Sequence, residues 1–225
     1  MRHAIITGAS SGIGEAIVTR LLAEGWQVTG LSRRGVECGH PNFTSVSVDL
    51  SDSVTLAAAL NILPVPQAIV HAAGMMAAAP LGELDPAVSA RLWGLHIQAA
   101  EILFNHFAPR MTVGGRLVAI GSRTSRGAAR RSQYVATKAA LVGMVRSWAA
   151  ELAPRGITAN VVAPGATATP MLSAPGRETS PPNVPPMGRL IAPVEVAAMV
   201  NYLLSAEAAP ITGQELVLCG GASLG

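Results

Sequence analysis

Two side chains with complementary chemistry stand four residues apart in the segment Tyr134-Val135-Ala136-Thr137-Lys138. A phenol is a poor proton donor or acceptor near neutrality, and an ammonium beside it favours the phenolate and brings the group into the range of general acid/base work. Four residues is close to one helical turn, so a helix over 132–152 projects both from one face. Tyr and Lys at this spacing are also common as an ordinary solvated pair on a helix surface. A third group makes the pair more specific. The apolar run Leu117-Val118-Ala119-Ile120 ends in Gly121-Ser122, which can present a hydroxyl beside the phenol.

A second constellation lies near the start of the chain. The strand-like run His3 to Thr7 passes directly into Thr7-Gly8-Ala9-Ser10-Ser11-Gly12-Ile13-Gly14, and a helix follows over about 12–24, with Ile13, Ile17 and Leu21 on one face and Gly25 placed to end it. Glycines in such a turn let the backbone come close to a pyrophosphate, whose charge is held by free N–H groups and the positive helix end. The strand before it and the amphipathic helix after it separate this segment from a plain glycine-rich turn. After the next strand, where an acidic residue would take the ribose hydroxyls of NAD(H), the chain has Leu31-Ser32-Arg33-Arg34. Ser32 and Arg33 suit the extra phosphate of NADP(H), because a guanidinium makes paired charge-assisted hydrogen bonds to it. NADP(H) is the expected cofactor and NAD(H) the alternative, while the plain reading of Arg33 and Arg34 is a pair of solvated loop charges.

The elements that must position these groups follow from the hydrophobic pattern. Short β-rich runs at 3–7, 27–31, 44–48, 67–71, 115–121, 157–162 and 214–218 alternate with stretches of helical periodicity. Several are continuously apolar, as parallel strands covered on both faces should be. The expectation is one α/β domain over 1–225, a doubly wound, Rossmann-type parallel sheet of about seven strands. A Pro-rich stretch from Thr169 to Leu190 breaks the pattern between a strand and a helix over about 194–205, and reads as a substrate lid ahead of a plain surface loop.

In this order and at these spacings, the motifs resemble the short-chain dehydrogenase/reductase family, and more narrowly its 3-oxoacyl reductases. The resemblance covers nearly the whole chain. Thr7 to Gly14 looks like the family's cofactor loop, which implies contacts from Gly8, Ser10, Ser11, Gly12, Ile13 and Gly14. Asp49 with Leu50 resembles its adenine contact, and His71-Ala72-Ala73-Gly74 its Asn-x-Ala-Gly strand end. Pro164-Gly165, with Thr167 and Thr169, is similar to the Pro-Gly-x-x-x-Thr segment that contacts the nicotinamide carboxamide, and Ile211 to Gln214 with Gly220-Gly221 to the C-terminal signature. The resemblance implies that Tyr134 exchanges a proton with the substrate oxygen during hydride transfer, that Ser122 polarises that oxygen, and that Lys138 holds the nicotinamide ribose. It also implies a homo-oligomer, a tetramer or dimer, built on long helices over about 86–108 and 132–152 and on an apolar tail near 215–224.

Two features depart from the family pattern. Where many members carry an asparagine in the long helix, the chain has His96 in Leu95-His96-Ile97, readable as a substitute hydrogen-bonding group in catalysis or as a packed histidine. The step from Ser122 to Tyr134 is 134 − 122 = 12 residues, one shorter than the resemblance implies, so the loop between them should be tightened. That loop carries Arg123, Arg126, Arg130 and Arg131. They read first as solvated charges and second as an attractor for an anionic or carrier-bound acyl substrate.

Composition excludes other classes. With 13% charged and 4% aromatic residues and a formal net charge of +3, the chain lacks the basic face and stacking aromatics of a nucleic-acid binder. No apolar run approaches the roughly 20 residues of a membrane span. Cys38 and Cys219 have neither metal-ligand nor disulfide spacing, no metal is expected, and without a leader pattern the default location is the cytoplasm. A small-molecule carbonyl or alcohol is the expected partner. The competing class is a protein on the same fold that binds NADP(H) as a sensor or scaffold without turnover.

Overall fold

The computed structural model describes residues 2–173 and 183–224. Its strands are β1 (His3–Thr7), β2 (Gln27–Ser32), β3 (Phe43–Ser47), β4 (Ala68–His71), β5 (Arg116–Ile120), β6 (Thr158–Pro164) and β7 (Glu215–Leu218). They form one sheet in the order β3-β2-β1-β4-β5-β6-β7, and every pairing is parallel. This is the doubly wound architecture expected from the alternating pattern.

Alternate strand residues feed two cores. Ile5, Ile69, Leu117, Ala119 and Val161 face a layer that includes Leu56 and Leu60 of α2 (Ser53–Asn61), Leu103, Phe104 and Phe107 of α4 (Ala99–Phe107), and Leu141 and Val145 of α5 (Ser132–Leu152). Ala4, Ile6, Val70, Val118, Ile120 and Val162 face Ile17 and Leu21 of α1 (Gly12–Ala23) and Val196, Val200 and Leu203 of α6 (Pro193–Leu203). Burying each such side chain contributes about 1.5–3 kcal/mol, and the central strands, apolar on both faces, are locked between the two layers.

The sequence did not single out α2, an Ala-rich helix started by Asp52, whose carboxylate accepts the N–H groups of Val54 and Thr55. The single long helix expected over 86–108 is interrupted. It runs as α3 (Pro86–Trp93), a π-helical turn (Gly94–Gln98) and α4. A π turn fits one more residue than an α turn and so re-aims the side chains around it; here His96 and Ile97 in that turn are buried. The β-rich run expected at 214–218 is the edge strand β7 (Glu215–Leu218), which forms the first part of the expected apolar tail. The Pro-rich stretch has stapled ends: Ala168 N–H donates to the Ile191 carbonyl and Ile191 N–H to that of Ala166. Residues 174–182, which carry the middle of the expected lid, lie outside the described residues.

Among the described residues, no helix is long and apolar enough to cross a membrane, and no cluster of His, Cys, Asp or Glu could hold a metal. Cys38 is an exposed free thiol and Cys219 a buried one.

Candidate active site

The C-terminal ends of β1, β2 and β4 lie level, with Thr7 opposite Leu31 on one side and His71 on the other. Chain direction across the sheet reverses between β1 and β4, so the segments leaving these strands diverge and open a crevice, as open α/β sheets do at such a switch point. The cleft has a volume near 660 Å³, and every catalytic and cofactor-binding candidate named from the sequence lines it, from Gly8 and Ser32 at one end to Ser122, Tyr134, Lys138 and Thr169 at the other.

The glycine loop is shaped by close backbone approach. Gly8 has φ +69°, and a Cβ there would come within 2.9 Å of the Ala73 backbone. A Cβ on Gly14 would collide with the Gly8 carbonyl, so the start of α1 is pressed against the loop and only glycine fits. Ser11 caps α1 in extended conformation without a side-chain cap bond, which leaves the first N–H groups of the helix and its positive end turned to the cleft.

Thr7, whose side chain carries no mark in the sequence pattern, ties the two central strand ends together. Its Oγ1 accepts the N–H groups of Ala72 and Ala73, each at 3.1 Å, and gives its proton to His71 Nδ1 at 3.0 Å. Burial, and then the Lys138 charge, push His71 down to a pKa of about 3, so it stays neutral.

At the end of β2, the Ser32 hydroxyl donates to the Arg34 carbonyl at 2.7 Å. That bond closes the turn on which Ser32, Arg33 and Arg34 line the cleft. Among the described residues neither guanidinium of Arg33 and Arg34 is bonded to another group. Asp49, exposed, caps its own turn by accepting Ser51 N–H at 2.9 Å.

The buried residues of α5 are Tyr134, Thr137, Lys138, Leu141, Val145, Ala149 and Leu152. Tyr134 and Lys138 are therefore the first rungs of the core-facing stripe, where the helix leaves the hydrophobic layer and enters the cleft. Lys138 Nζ donates to the Ile120 carbonyl at 2.8 Å and lies 5.8 Å from the centre of the Tyr134 ring. Burial lowers its pKa from 10.5 to about 8, since the low-dielectric surroundings penalise the charged form. Ser122, also buried, sits at the end of β5 with its Oγ 2.8 Å from Thr124 Oγ1. Sequence reading had no signal for Thr124, because an isolated threonine in an Arg-rich loop belongs to no motif.

The short loop between Ser122 and Tyr134 is tightened. A 3-10 turn covers Arg123–Arg126, Arg130 takes φ +63°, an uncommon conformation for a residue with a Cβ, and the Arg130 carbonyl is held by Ala79 N–H at 2.9 Å. The arginines divide. Arg126, 82% exposed, has only a loose 3.8 Å ion pair to Glu215, and Arg130 is exposed. Arg123 and Arg131 line the cleft.

His96 lines the same cleft, with both ring nitrogens hydrogen-bonded: Nε2 accepts Met75 N–H at 3.0 Å, and Nδ1 lies 2.8 Å from Thr137 Oγ1. Thr137, unmarked in the sequence, is fully buried one turn along from Tyr134.

Residues 8–223 match a family profile described as enoyl-(acyl carrier protein) reductase. The chain is 32% identical over 235 residues to the 3-oxoacyl-[acyl-carrier-protein] reductase MabA of Mycobacterium tuberculosis, covering 100% of this chain and 94% of that protein. It is 31% identical to the 3-oxoacyl-[acyl-carrier-protein] reductase FabG of Vibrio harveyi, over 97% of this chain and 96% of the other. Among solved structures, a 4-hydroxyisoleucine dehydrogenase complexed with NADH superposes with a TM-score of 0.89 at 25% identity, covering 100% of both chains. A blue fluorescent protein from a metagenomic library, in complex with NADPH, gives 0.86 at 29% identity over 99% of this chain and 98% of that one. With the doubly wound sheet and the cleft at its switch point, these matches identify the chain as a member of the short-chain dehydrogenase/reductase family of oxidoreductases, with 3-oxoacyl reductases among its relatives.

Proposed function

We propose that the chain is an NADP(H)-dependent reductase that interconverts a carbonyl and a secondary alcohol, with Tyr134 as general acid/base. The observation that carries this reading is the convergence of Ser122, Tyr134 and Lys138 on the cleft that also holds the glycine loop. The relatives named as 3-oxoacyl reductases make a 3-oxoacyl thioester one candidate among small and medium oxo compounds.

The residues fit a nicotinamide dinucleotide. The loop of Gly8, Ser10, Ser11, Gly12, Ile13 and Gly14 leaves no room for a Cβ on Gly14 and turns a helix N-terminus to the cleft, which suits a pyrophosphate. Asp49 and Leu50 would hold the adenine, Ala72 to Gly74 the ribose side, and Pro164, Gly165, Thr167 and Thr169 the nicotinamide. The unpaired guanidiniums of Arg33 and Arg34 favour NADP(H) over NAD(H). When bound, the nicotinamide supplies or accepts the hydride.

The chain's own residues would handle the proton. Ser122 donates a hydrogen bond to the substrate oxygen and orients it. Tyr134 gives its phenolic proton to that oxygen as negative charge develops there, and in the oxidative direction its phenolate takes the alcohol proton. Lys138 holds the ribose hydroxyls, and its charge favours the phenolate.

The test is oxidation of NADPH and of NADH, followed by absorbance, against ketones, aldehydes, quinones and 3-oxoacyl thioesters, with Tyr134→Phe as control. Turnover with NADPH that vanishes in the variant is expected. Tight NADPH binding without turnover of any compound would favour the sensor reading, and a strong NADH preference would overturn the cofactor assignment. Self-association through α3, α4 and α5, as a dimer or tetramer, belongs to the same proposal and is read by light scattering.

A further inference from the structure

Resting on this reading of Tyr134 and Lys138, we infer that His96 is a positioning residue: its neutral imidazole ties the loop after β4 to the first turn of α5 and so sets the cofactor ribose site against the catalytic pair. The hydrogen-bond directions support this. Thr137 Oγ1 donates to the Tyr134 carbonyl at 2.8 Å, so its one proton is used and it must accept from His96 Nδ1–H. The other nitrogen, Nε2, then carries no proton and accepts Met75 N–H. One tautomer satisfies all three bonds, which run from Met75 through the ring and Thr137 to the backbone of Tyr134.

The surroundings keep the ring neutral. His96 is fully buried. It meets the Tyr134 ring edge-on at 5.7 Å between centroids, and a Cβ on Gly74 would lie 3.2 Å from its Nε2 and 3.8 Å from Lys138 Nζ. The titratable groups acting on it are Lys138 and His71, both basic, and its pKa is held well below 6.5 by burial first and then by these two. A neutral ring whose Nδ1–H is given to Thr137 and whose Nε2 lone pair is taken by Met75 N–H has both nitrogens committed to these links, which favours the substitute hydrogen-bonding group over the plain packed histidine. Imidazole also has a geometric reason to be here. Its two nitrogens reach opposite partners at once, whereas Asn places a polar atom only near the Nδ1 position and Gln only near Nε2.

The test is a set of variants, His96→Asn, His96→Gln and Thr137→Val, read by kcat, by NADPH dissociation constant from fluorescence, and by the pH profile of kcat. His96→Asn keeps the Thr137 link; its kcat should stay within about threefold of wild type while NADPH binds about tenfold more weakly, the effect of one lost buried hydrogen bond. His96→Gln keeps the Met75 link and should show the reverse split, a kcat loss of about tenfold with NADPH affinity nearly unchanged. Thr137→Val, which leaves His96 in place, should reproduce the kcat loss of His96→Gln, and the two losses should not add in the double variant. The acid limb of the pH profile should stay in place throughout. An acid limb that shifts or disappears in the His96 variants, wild-type kinetics in all of them, or equal losses without a split would overturn the inference. If the His96 variants do not fold, wild-type kcat in Thr137→Val would overturn it by itself. Tyr134→Phe keeps the two questions apart: full activity in that variant defeats the assignment of Tyr134 as general acid/base, whereas an inactive Tyr134→Phe beside unaffected His96 variants defeats only the positioning role.

Discussion

Ser122 Oγ lies 2.8 Å from Thr124 Oγ1 and also accepts the Thr124 backbone N–H at 3.2 Å. Either hydroxyl of this pair can donate to the other; when Thr124 donates, as its amide already does, the Ser122 proton is left for a substrate oxygen, and an oxygen that accepts hydrogen bonds is a better donor in turn. Thr124→Val keeps the shape and removes the hydroxyl. Its kcat should fall by about tenfold, one net hydrogen bond, with NADPH affinity unchanged. Steady-state kinetics with a parallel binding measurement check this, and an unchanged kcat would mean that Ser122 acts alone.

The guanidiniums of Arg33 and Arg34 line the cleft without a partner among the described residues. Arg33→Ala should raise the KM for NADPH by about 10- to 100-fold, the range for a lost charge-assisted hydrogen bond, and leave the KM for NADH within twofold. Initial rates with both cofactors decide it; equal effects on both would place Arg33 away from the extra phosphate.

Gly14 and Gly25 should respond differently to alanine. A Cβ on Gly14 meets the Gly8 carbonyl, which belongs to the backbone and cannot rotate away, whereas Gly25, at φ +75°, has nothing within 4 Å. Gly25→Ala should cost about 1 kcal/mol of backbone strain. Gly14→Ala should cost more than about 2 kcal/mol, as overpacking does, and should also abolish NADPH binding. Denaturant unfolding and fluorescence titration separate the two effects.

Acid should destabilise the fold through His71 and His96. Both are buried and neutral, with His71 held at about 3 and His96 well below 6.5. Once unfolded, each takes up a proton below pH 6.5, so the unfolded state binds more protons and stability falls as pH drops from about 6.5 towards 3. The slope is about 1.4 kcal/mol per pH unit for each histidine. Urea unfolding at pH 7, 5.5 and 4.5 should show this loss, with a shallower slope in His71→Asn.

Lys138 should act at the other end of the pH scale. Its pKa in the fold is about 8 against 10.5, so without cofactor the charged form is disfavoured by folding. Between pH 8 and 10.5 the unfolded chain holds the proton that the folded one has released, and this contribution to stability grows as pH rises. At pH 7, Lys138→Met should be more stable than wild type by up to about 3 kcal/mol, the value of a shift this size. The gap should narrow towards pH 10.5. A variant less stable at pH 7 would show that the hydrogen bond to Ile120 outweighs the burial of charge.

The sequence by itself determined what depends on local pattern. Apolar runs of strand length alternating with helical periodicity gave the parallel sheet, and β1, α1 and α5 lie where the pattern put them. The Gly8 to Gly14 loop was legible because only glycine tolerates such close backbone approach, and the Tyr134 to Lys138 step because one helical turn keeps two residues on one face. What only the tertiary structure decided depends on partners far apart in the chain. The π turn that buries His96, its bonds to Met75 and Thr137, and Thr7 bridging to His71 join residues from 21 to 64 positions apart. Thr7, Thr124 and Thr137 carry no local signature, since a hydroxyl becomes a structural link only when folding places a donor and an acceptor on either side of it. The division of the loop arginines has the same cause. Their spacing could not distinguish Arg126, turned to solvent, from Arg131, turned to the cleft, because the left-handed turn at Arg130 that separates them is held by a hydrogen bond from Ala79, 51 residues away.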